Sequence, residues 1–218
     1  MYWTVWTFLS VLMLRGASAD NERLFQDPDT KLSFWQSYEP YKLDNGKGII
    51  FRTAVPEAAT SGTAFDVVMQ MVVPNEVGWA GLGWGGGMPQ NPLLVVFRNS
   101  NNQGVLASSR WANGHTTPNA YTGATYTVYK TGTKVNSTHW QVTAKCTGCA
   151  TWTQRDGKKV YLNPKGNNRF GWAYSLKKPT NPNSATSAIP IHDLGQYFTM
   201  DVGKGVNKDF ANLVSKLQ

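Results

Sequence analysis

The sequence predicts an all-β protein, an antiparallel immunoglobulin-like β-sandwich closed by a short C-terminal helix. Three observations predict it: short runs rich in Thr, Tyr, Trp and Val recur along the chain, turn clusters separate them, and only one stretch has helical periodicity. From Phe65 the chain alternates, with Phe65, Val67, Met69, Met71 and Val73 on one side and Asp66, Val68, Gln70 and Val72 on the other. That is the pattern of a strand with one face in a core. Leu93 to Phe97 is a short apolar run ending at the turn cluster 98–104, and a further strand follows from Val105 to Trp111. Ala124 to Lys130, Trp140 to Cys146, Phe170 to Leu176 and Gln196 to Val202 supply the others. The stretch from Pro179 to Pro190, with Pro182 and several Asn, Ser and Thr between, predicts a long irregular loop leading directly to His192. Phe210, Leu213, Val214 and Leu217 then form an i, i+3, i+4, i+7 stripe behind a candidate cap at Asn207, which is the helix.

Trp3 to Leu14 form an apolar block too short to span a bilayer, followed by Arg15 and the small-residue exit Ala17-Ser18-Ala19. Residues 1–19 are therefore expected to be a secretion signal, and residues 20–218 one domain of 199 residues (218 minus 19), extracellular and monomeric. Its two cysteines, Cys146 and Cys149, suit a local disulfide worth about 2 kcal/mol in so short a loop. The other reading, a thioredoxin-type dithiol, wants a βαβ context that is missing. Asn136-Ser137-Thr138 is a glycosylation sequon, expected on the surface. Removing the signal takes one of 21 basic residues and leaves 20 against 13 acidic ones, a net charge of +7. The basic residues are scattered without clusters, which argues against nucleic-acid binding and leaves an acidic protein or an anionic polysaccharide as partners for a basic face.

Few enzyme classes survive. The chain has no Gly-x-Ser-x-Gly elbow, no His-Glu-x-x-His and no phosphate-binding loop, and its glycine run at 85–87 lacks dinucleotide spacing. A carboxylate pair drawn from Asp66, Glu76, Asp156 and Asp201 would be needed for glycoside hydrolysis. Copper polysaccharide monooxygenases begin with a histidine, whereas this mature chain would begin at Asp20. Three histidines, His115, His139 and His192, stand too far apart in sequence to pair at zinc-ligand spacing, and His139 beside Trp140 reads as a surface or packing residue. Two residues carry a sharper possibility. Met88 follows Trp84-Gly85-Gly86-Gly87, where bare backbone permits close approach of a flat macrocycle and the next side chain is a thioether able to ligate iron. His192, in Ile189-Pro190-Ile191-His192-Asp193, offers an imidazole from a second loop. Without a Cys-x-x-Cys-His, a haem would be held non-covalently.

The motifs Trp79-Ala80-Gly81-Leu82-Gly83-Trp84-Gly85-Gly86-Gly87-Met88, Arg110-Trp111-Ala112-Asn113-Gly114, Tyr121-Thr122-Gly123, Asn136-Ser137-Thr138-His139-Trp140, Cys146-Thr147-Gly148-Cys149, Trp172-Ala173-Tyr174-Ser175 and His192 occur in the order seen in the cytochrome domain of fungal cellobiose dehydrogenases, which the chain resembles from about 25 to 203. The resemblance implies a β-sandwich holding a b-type haem at one end, iron ligands at Met88 and His192, and a disulfide between Cys146 and Cys149. It also implies electrons received from a flavin-dependent sugar dehydrogenase and passed to a copper polysaccharide monooxygenase. Met and His would close both axial positions, suiting outer-sphere transfer, and a thioether raises the potential relative to two imidazoles.

The chain departs from the family in three places. No flavin domain follows Gln218, so a free-standing cytochrome or a truncated product is expected. His115 stands where relatives carry a tyrosine near a haem propionate, which implies a propionate contact with a pH dependence. Pro89 after Met88 constrains the ligand loop. Trp84 suits either the haem edge or the core. The competing reading is a haem-free carbohydrate-binding sandwich that stacks sugars on its nine tryptophans, seven of them after residue 19, and nine tyrosines.

Overall fold

Two antiparallel sheets face each other across one apolar core. The computed structural model describes residues 21–40 and 47–218, and the signal expected at 1–19 lies outside them. In chain order the strands are β1 (Glu22–Gln26), β2 (Ser33–Pro40), β3 (Gly48–Pro56), β4 (Val67–Pro74), β5 (Trp79–Gly83), β6 (Leu93–Arg98), β7 (Val105–Trp111), β8 (Asn119–Ala120), β9 (Thr125–Val135), β10 (His139–Thr147), β11 (Thr151–Thr153), β12 (Lys159–Tyr161), β13 (Asn167–Ser175), β14 (Leu194–Asp201) and β15 (Val206–Asn207). The helix α1 covers Phe210–Ser215. One sheet runs β1-β2-β3-β4-β10-β9, with β15 added parallel to β3, and the other runs β14-β13-β5-β6-β7-β8. The all-β antiparallel sandwich with one short helix is therefore what the periodicities predict.

The core forms because each strand turns alternate apolar residues inward. Met69, Met71 and Val73 of β4 and Trp140, Val142 and Ala144 of β10 meet Leu82, Trp84, Leu94, Val96, Phe170 and Trp172 from the facing sheet. Phe170 and Phe198 stack at 5.3 Å, and Phe51 and Phe198 at 5.1 Å. These aromatic contacts fix how the sheets sit on each other.

β4 departs from the expectation of one buried face. Val68 and Gln70 on its other side are also fully buried. Val68 lies in a second apolar layer of Leu32, Phe34, Ala54 and Phe210, with Leu213, Val214 and Leu217 of the terminal segment packed on it. Gln70 sits in a polar cluster, where Arg52 donates to Gln36, Gln70 and Gln141, and Gln70 donates to Asp27. Burial pushes the Arg52 guanidinium down to about 10, against the pull of Asp27 in the other direction. Cover from sequence-distant elements is invisible to a period-two pattern, so only the sheet's assembly reveals it.

The expected cap at Asn207 is also corrected. Asp209 occupies the N-cap of α1 and makes no side-chain capping bond. Asn207 lies in β15, where its amide accepts from Ser33 N at 2.8 Å and donates to Ser33 O at 2.9 Å and Gly205 O at 3.0 Å. A side chain that satisfies an edge strand is not available to a helix. Cys146 lies one residue before the end of β10 and is bonded to Cys149 across 5.9 Å between Cα atoms, which makes the pair the disulfide rather than the dithiol. Asn136 is exposed in the β9–β10 turn, its amide oxygen accepting from Thr138 N and His139 N at 2.9 and 2.8 Å.

Candidate functional site

The outer face of the six-stranded sheet is bare at its centre. Register aligns Gly195, Ala173, Gly81, Val95 and Ser108 in one cross-strand row, and Tyr197, Gly171, Gly83, Leu93 and Arg110 in the next. Cross-strand partners point to the same side, so four glycines and an alanine from β14, β13 and β5 leave a floor without side chains. Taller residues flank it on β6 and β7. Above this floor lies a cavity of about 840 Å³ lined by Trp79, Leu93, Val95, Ile189, Pro190 and Ile191 among others. Ligand sites span roughly 300–1,000 Å³ with mainly apolar walls, so the cavity has the size and character for a large flat cofactor. It lies on the outside of one sheet, not between the sheets at an end of the sandwich, because the inner faces are filled by core aromatics.

Met88, His192 and His115 all line this one cavity. Met88 arrives on the loop after β5. Gly86 takes φ +82°, a conformation that side chains rarely adopt, and is the member of the glycine run that turns the chain. The loop then lies flat on the floor: a Cβ on Gly83 would come within 2.9 Å of Gly87 O, and one on Gly171 within 3.2 Å of Gly87 N. Asn91, 6% exposed, donates to Gly87 O at 3.1 Å and to Pro89 O at 3.0 Å, gripping the backbone on both sides of Met88. Its amide oxygen leaves no room for a Cβ on Gly85. Pro89 takes part in this grip through its carbonyl, one of the two that Asn91 holds.

His192 comes from the opposite side. Its ring lies over Gly195, where an added Cβ would be 3.3 Å from Cε1 and 3.6 Å from Nε2. Asp193, next in sequence, ties the loop to the sheet: its carboxylate accepts from Leu176 N at 2.7 Å and Ser175 Oγ at 3.1 Å, and its own N donates to Tyr174 O at 2.8 Å. The 176–193 loop is ordered by its own bonds, among them Asn181 N to Ser187 Oγ at 2.8 Å and Thr180 N to Ala188 O at 3.1 Å. The Met88 loop rests over Gly83 and Gly171 and the His192 ring over Gly195, so the two donors come from different strands of the same floor. His115 faces them from the β7–β8 loop and is exposed.

The donor set fits a haem: one thioether and one imidazole on separate loops over a bare, apolar-walled floor, with a second imidazole at the rim. Other sequence candidates lie elsewhere. His139 sits on the other sheet with Nδ1 2.9 Å from Thr138 Oγ1. Among the described residues no three His, Cys, Asp or Glu side chains gather as a metal site. Trp84 faces the core, 1% exposed, edge-on to Phe170 at 5.8 Å and donating to Tyr126 Oη at 2.8 Å, so of its two readings the core one holds. That hydroxyl lies 3.3 Å from Cys149 Sγ, and burial raises the Tyr126 pKa well above the usual tyrosine range. Trp79, Trp84, Trp140, Trp152 and Trp172 are all buried, which removes them as stacking platforms for a sugar. The floor glycines, Asn91 and Asp193 escaped the sequence reading. Asn91 had a local signal, an amide three residues after Met88 in a Gly- and Pro-rich turn, whereas Gly171 and Gly195 join the site only through strand pairing.

The profile of the family described as the cytochrome domain of cellobiose dehydrogenase matches residues 25–212. A pyrroloquinoline quinone-dependent pyranose dehydrogenase of Coprinopsis cinerea is 29% identical over 180 residues, 81% of this chain and 23% of the relative, so the chain spans less than a quarter of that protein's length. The cytochrome domain of Myriococcum thermophilum cellobiose dehydrogenase shares the fold, with a TM-score of 0.78, 21% identity, and coverage of 91% of this chain and 97% of that one. The cytochrome b domain of the Coprinopsis cinerea pyranose dehydrogenase superposes with a TM-score of 0.73 at 25% identity, covering 89% of this chain and 94% of that one. With a match running through nearly every described strand and both loops of the cavity, the chain belongs to the family of the cytochrome domain of cellobiose dehydrogenase, a haem-binding, electron-transfer family.

Proposed function

We propose that this chain is a secreted b-type cytochrome that holds haem non-covalently between Met88 and His192 and passes single electrons from a sugar dehydrogenase to an acceptor such as a copper polysaccharide monooxygenase. The observation that carries the reading is the convergence of Met88 and His192, 104 residues apart (192 minus 88), on one bare-floored cavity. Bound there, haem supplies a one-electron ferric–ferrous couple. The chain's own residues would do the rest: Asn91 and Asp193 hold the loops of Met88 and His192, the floor glycines leave room for the ring, and Leu93, Val95 and Ile189 exclude water. His115, at the rim, is assigned to a propionate.

Partner contact is assigned to the cavity mouth, where Ile191 is 87% and Tyr197 57% exposed and the Arg169 guanidinium lies 4.2 Å over the Tyr197 ring. An apolar patch edged by a cation suits a small, salt-sensitive contact with an acidic partner. The donor is a flavin- or quinone-dependent sugar dehydrogenase, a reading supported by the relatives' names. Secretion is supported by the disulfide and by the exposed sequon at Asn136. The absorption spectrum tests the core of the reading. Haem-reconstituted protein is expected to show a Soret band that shifts on reduction, lost or turned high-spin in His192→Ala and unchanged in His139→Ala. A colourless wild-type protein, or identical spectra for the two variants, would refute it.

A further inference from the structure

Arg110 is a buried cation with no carboxylate among its hydrogen-bond partners in the described residues. It is 4% exposed, and its fork is spent on neutral oxygens: Nε donates to Ser108 Oγ at 2.6 Å, Nη1 to Pro118 O at 3.2 Å, and Nη2 to Ala185 O at 2.9 Å and Ser187 O at 2.6 Å. Ser108 in turn donates to Ala185 O. Burying a guanidinium is unfavourable unless its donors are satisfied. Here the partners explain it, because all three carbonyls belong to irregular loops whose backbone has no sheet ladder to bond. There are two such loops, Pro118 lying on the one that carries His115 to the cavity and Ala185 and Ser187 on the one that carries His192.

Arg110 and Ser108 stand on β7, continuing the two rows whose other ends are Tyr197 and Gly195 on β14. Those strands are four spacings apart, roughly 19 Å. From Ser187 to His192 the chain has five residues, which reach about 17 Å when fully extended. Pro190 stiffens the segment further. The side chains of Arg110 and Ser108 cover part of that span from the near end, Asp193 fixes the far end, and His192 lies just inside the far anchor.

We propose that Arg110, assisted by Ser108, is a positioning residue for His192: by clamping the Ala185 and Ser187 carbonyls from across the sheet it keeps the 187–192 segment taut and the imidazole over Gly195. The inference rests on the haem reading above and adds to it a residue outside the cavity lining. Lysine cannot replace it, since a single ammonium cannot bond Ser108, Pro118 and both loop carbonyls from one point.

The experiment uses the full chain, reconstituted with haemin, as wild type, Arg110→Lys, Arg110→Met and Ser108→Ala. Three readouts are taken: amide exchange over 185–192 in the haem-free proteins, the rate of haem transfer to excess apomyoglobin, and the ferric spectrum with and without added imidazole. In both Arg110 variants exchange at 185–192 and haem transfer are each expected to rise about tenfold or more. A high-spin fraction should develop that added imidazole returns to low spin, and Ser108→Ala should fall between. Faster loop exchange with haem transfer within twofold of wild type and an unchanged spectrum would overturn the proposal, leaving Arg110 a loop staple only. If the Arg110 variants do not fold, Ser108→Ala decides by the same readouts. Wild-type protein that takes up no haem would refute the reading of the site itself, an outcome distinct from altered variants of a haem-binding parent.

Discussion

Gly195 offers a graded test of how His192 is held. Its φ is not in the left-handed region, so side chains are tolerated by the backbone, and replacing glycine in a strand removes an entropic cost of about 0.5–1 kcal/mol. The fold should therefore be unharmed or slightly stabilised by Gly195→Ala. At the site the same Cβ would sit 3.3 Å from His192 Cε1, tight enough that the ring must shift by a few tenths of an ångström. Ligand geometry tolerates about 0.5 Å, so alanine should preserve the low-spin spectrum with a modest rise in haem-loss rate. Valine or leucine places a further carbon about 1.5 Å beyond Cβ, inside the volume of the imidazole, and exceeds that tolerance. Gly195→Val and Gly195→Leu should bind haem weakly or in a high-spin form while keeping a thermal midpoint at or above that of wild type. Haemin titration followed in the Soret region, beside calorimetric melting of the haem-free proteins, separates the two effects. A normal low-spin spectrum in Gly195→Leu would refute the placement of His192 over the sheet floor.

Three further outcomes follow from the geometry. Asn91→Ala removes both bonds to the half-buried Gly87 and Pro89 carbonyls, each worth about 0.5–1.5 kcal/mol, so the haem-free melting point should fall by a few degrees and haem affinity with it; an unchanged affinity would show that Met88 does not depend on that grip. Tyr126→Phe tests alkaline stability. Because burial holds the folded hydroxyl protonated above the unfolded value near 10, the stability it contributes is present below pH 10 and declines above it, as only the unfolded chain releases the proton. Denaturant titrations from pH 9 to 11 should therefore show a slope shallower by up to about 1.4 kcal/mol per pH unit in the variant, and parallel slopes would contradict it. Cys149→Ser should lower stability by about 2 kcal/mol, read from urea unfolding, with the haem spectrum retained, since the disulfide pins the end of β10 and not the cavity.

Strands β6, β7, β10 and β13 were legible because their runs of apolar, aromatic and β-branched residues are bounded by turn clusters, although β6 and much of β10 and β13 are buried on both faces. β5 was not: Trp79-Ala80-Gly81-Leu82-Gly83 has weak strand propensity, and it is a strand because it pairs with β6 and β13. Met88 and His192 were nominated by chemistry and by resemblance, each from its own few neighbours, and nothing in the intervening residues says that they meet.

What the amino-acid order determined by itself was therefore the local grammar: all-β class, turn positions, a thioether behind a flexible glycine run, an imidazole at the end of a proline-bearing loop, and a cysteine pair close enough to bond. The tertiary structure decided the rest. It laid Gly81, Gly83, Gly171, Ala173 and Gly195 side by side to make a floor, turned Trp84 into the core, and ran the His192 loop across the sheet to Arg110. The physical reason is that a ligand cavity needs side chains missing from one face of several strands at once, and hydrogen-bond register between strands far apart in sequence is the only thing that brings those gaps together.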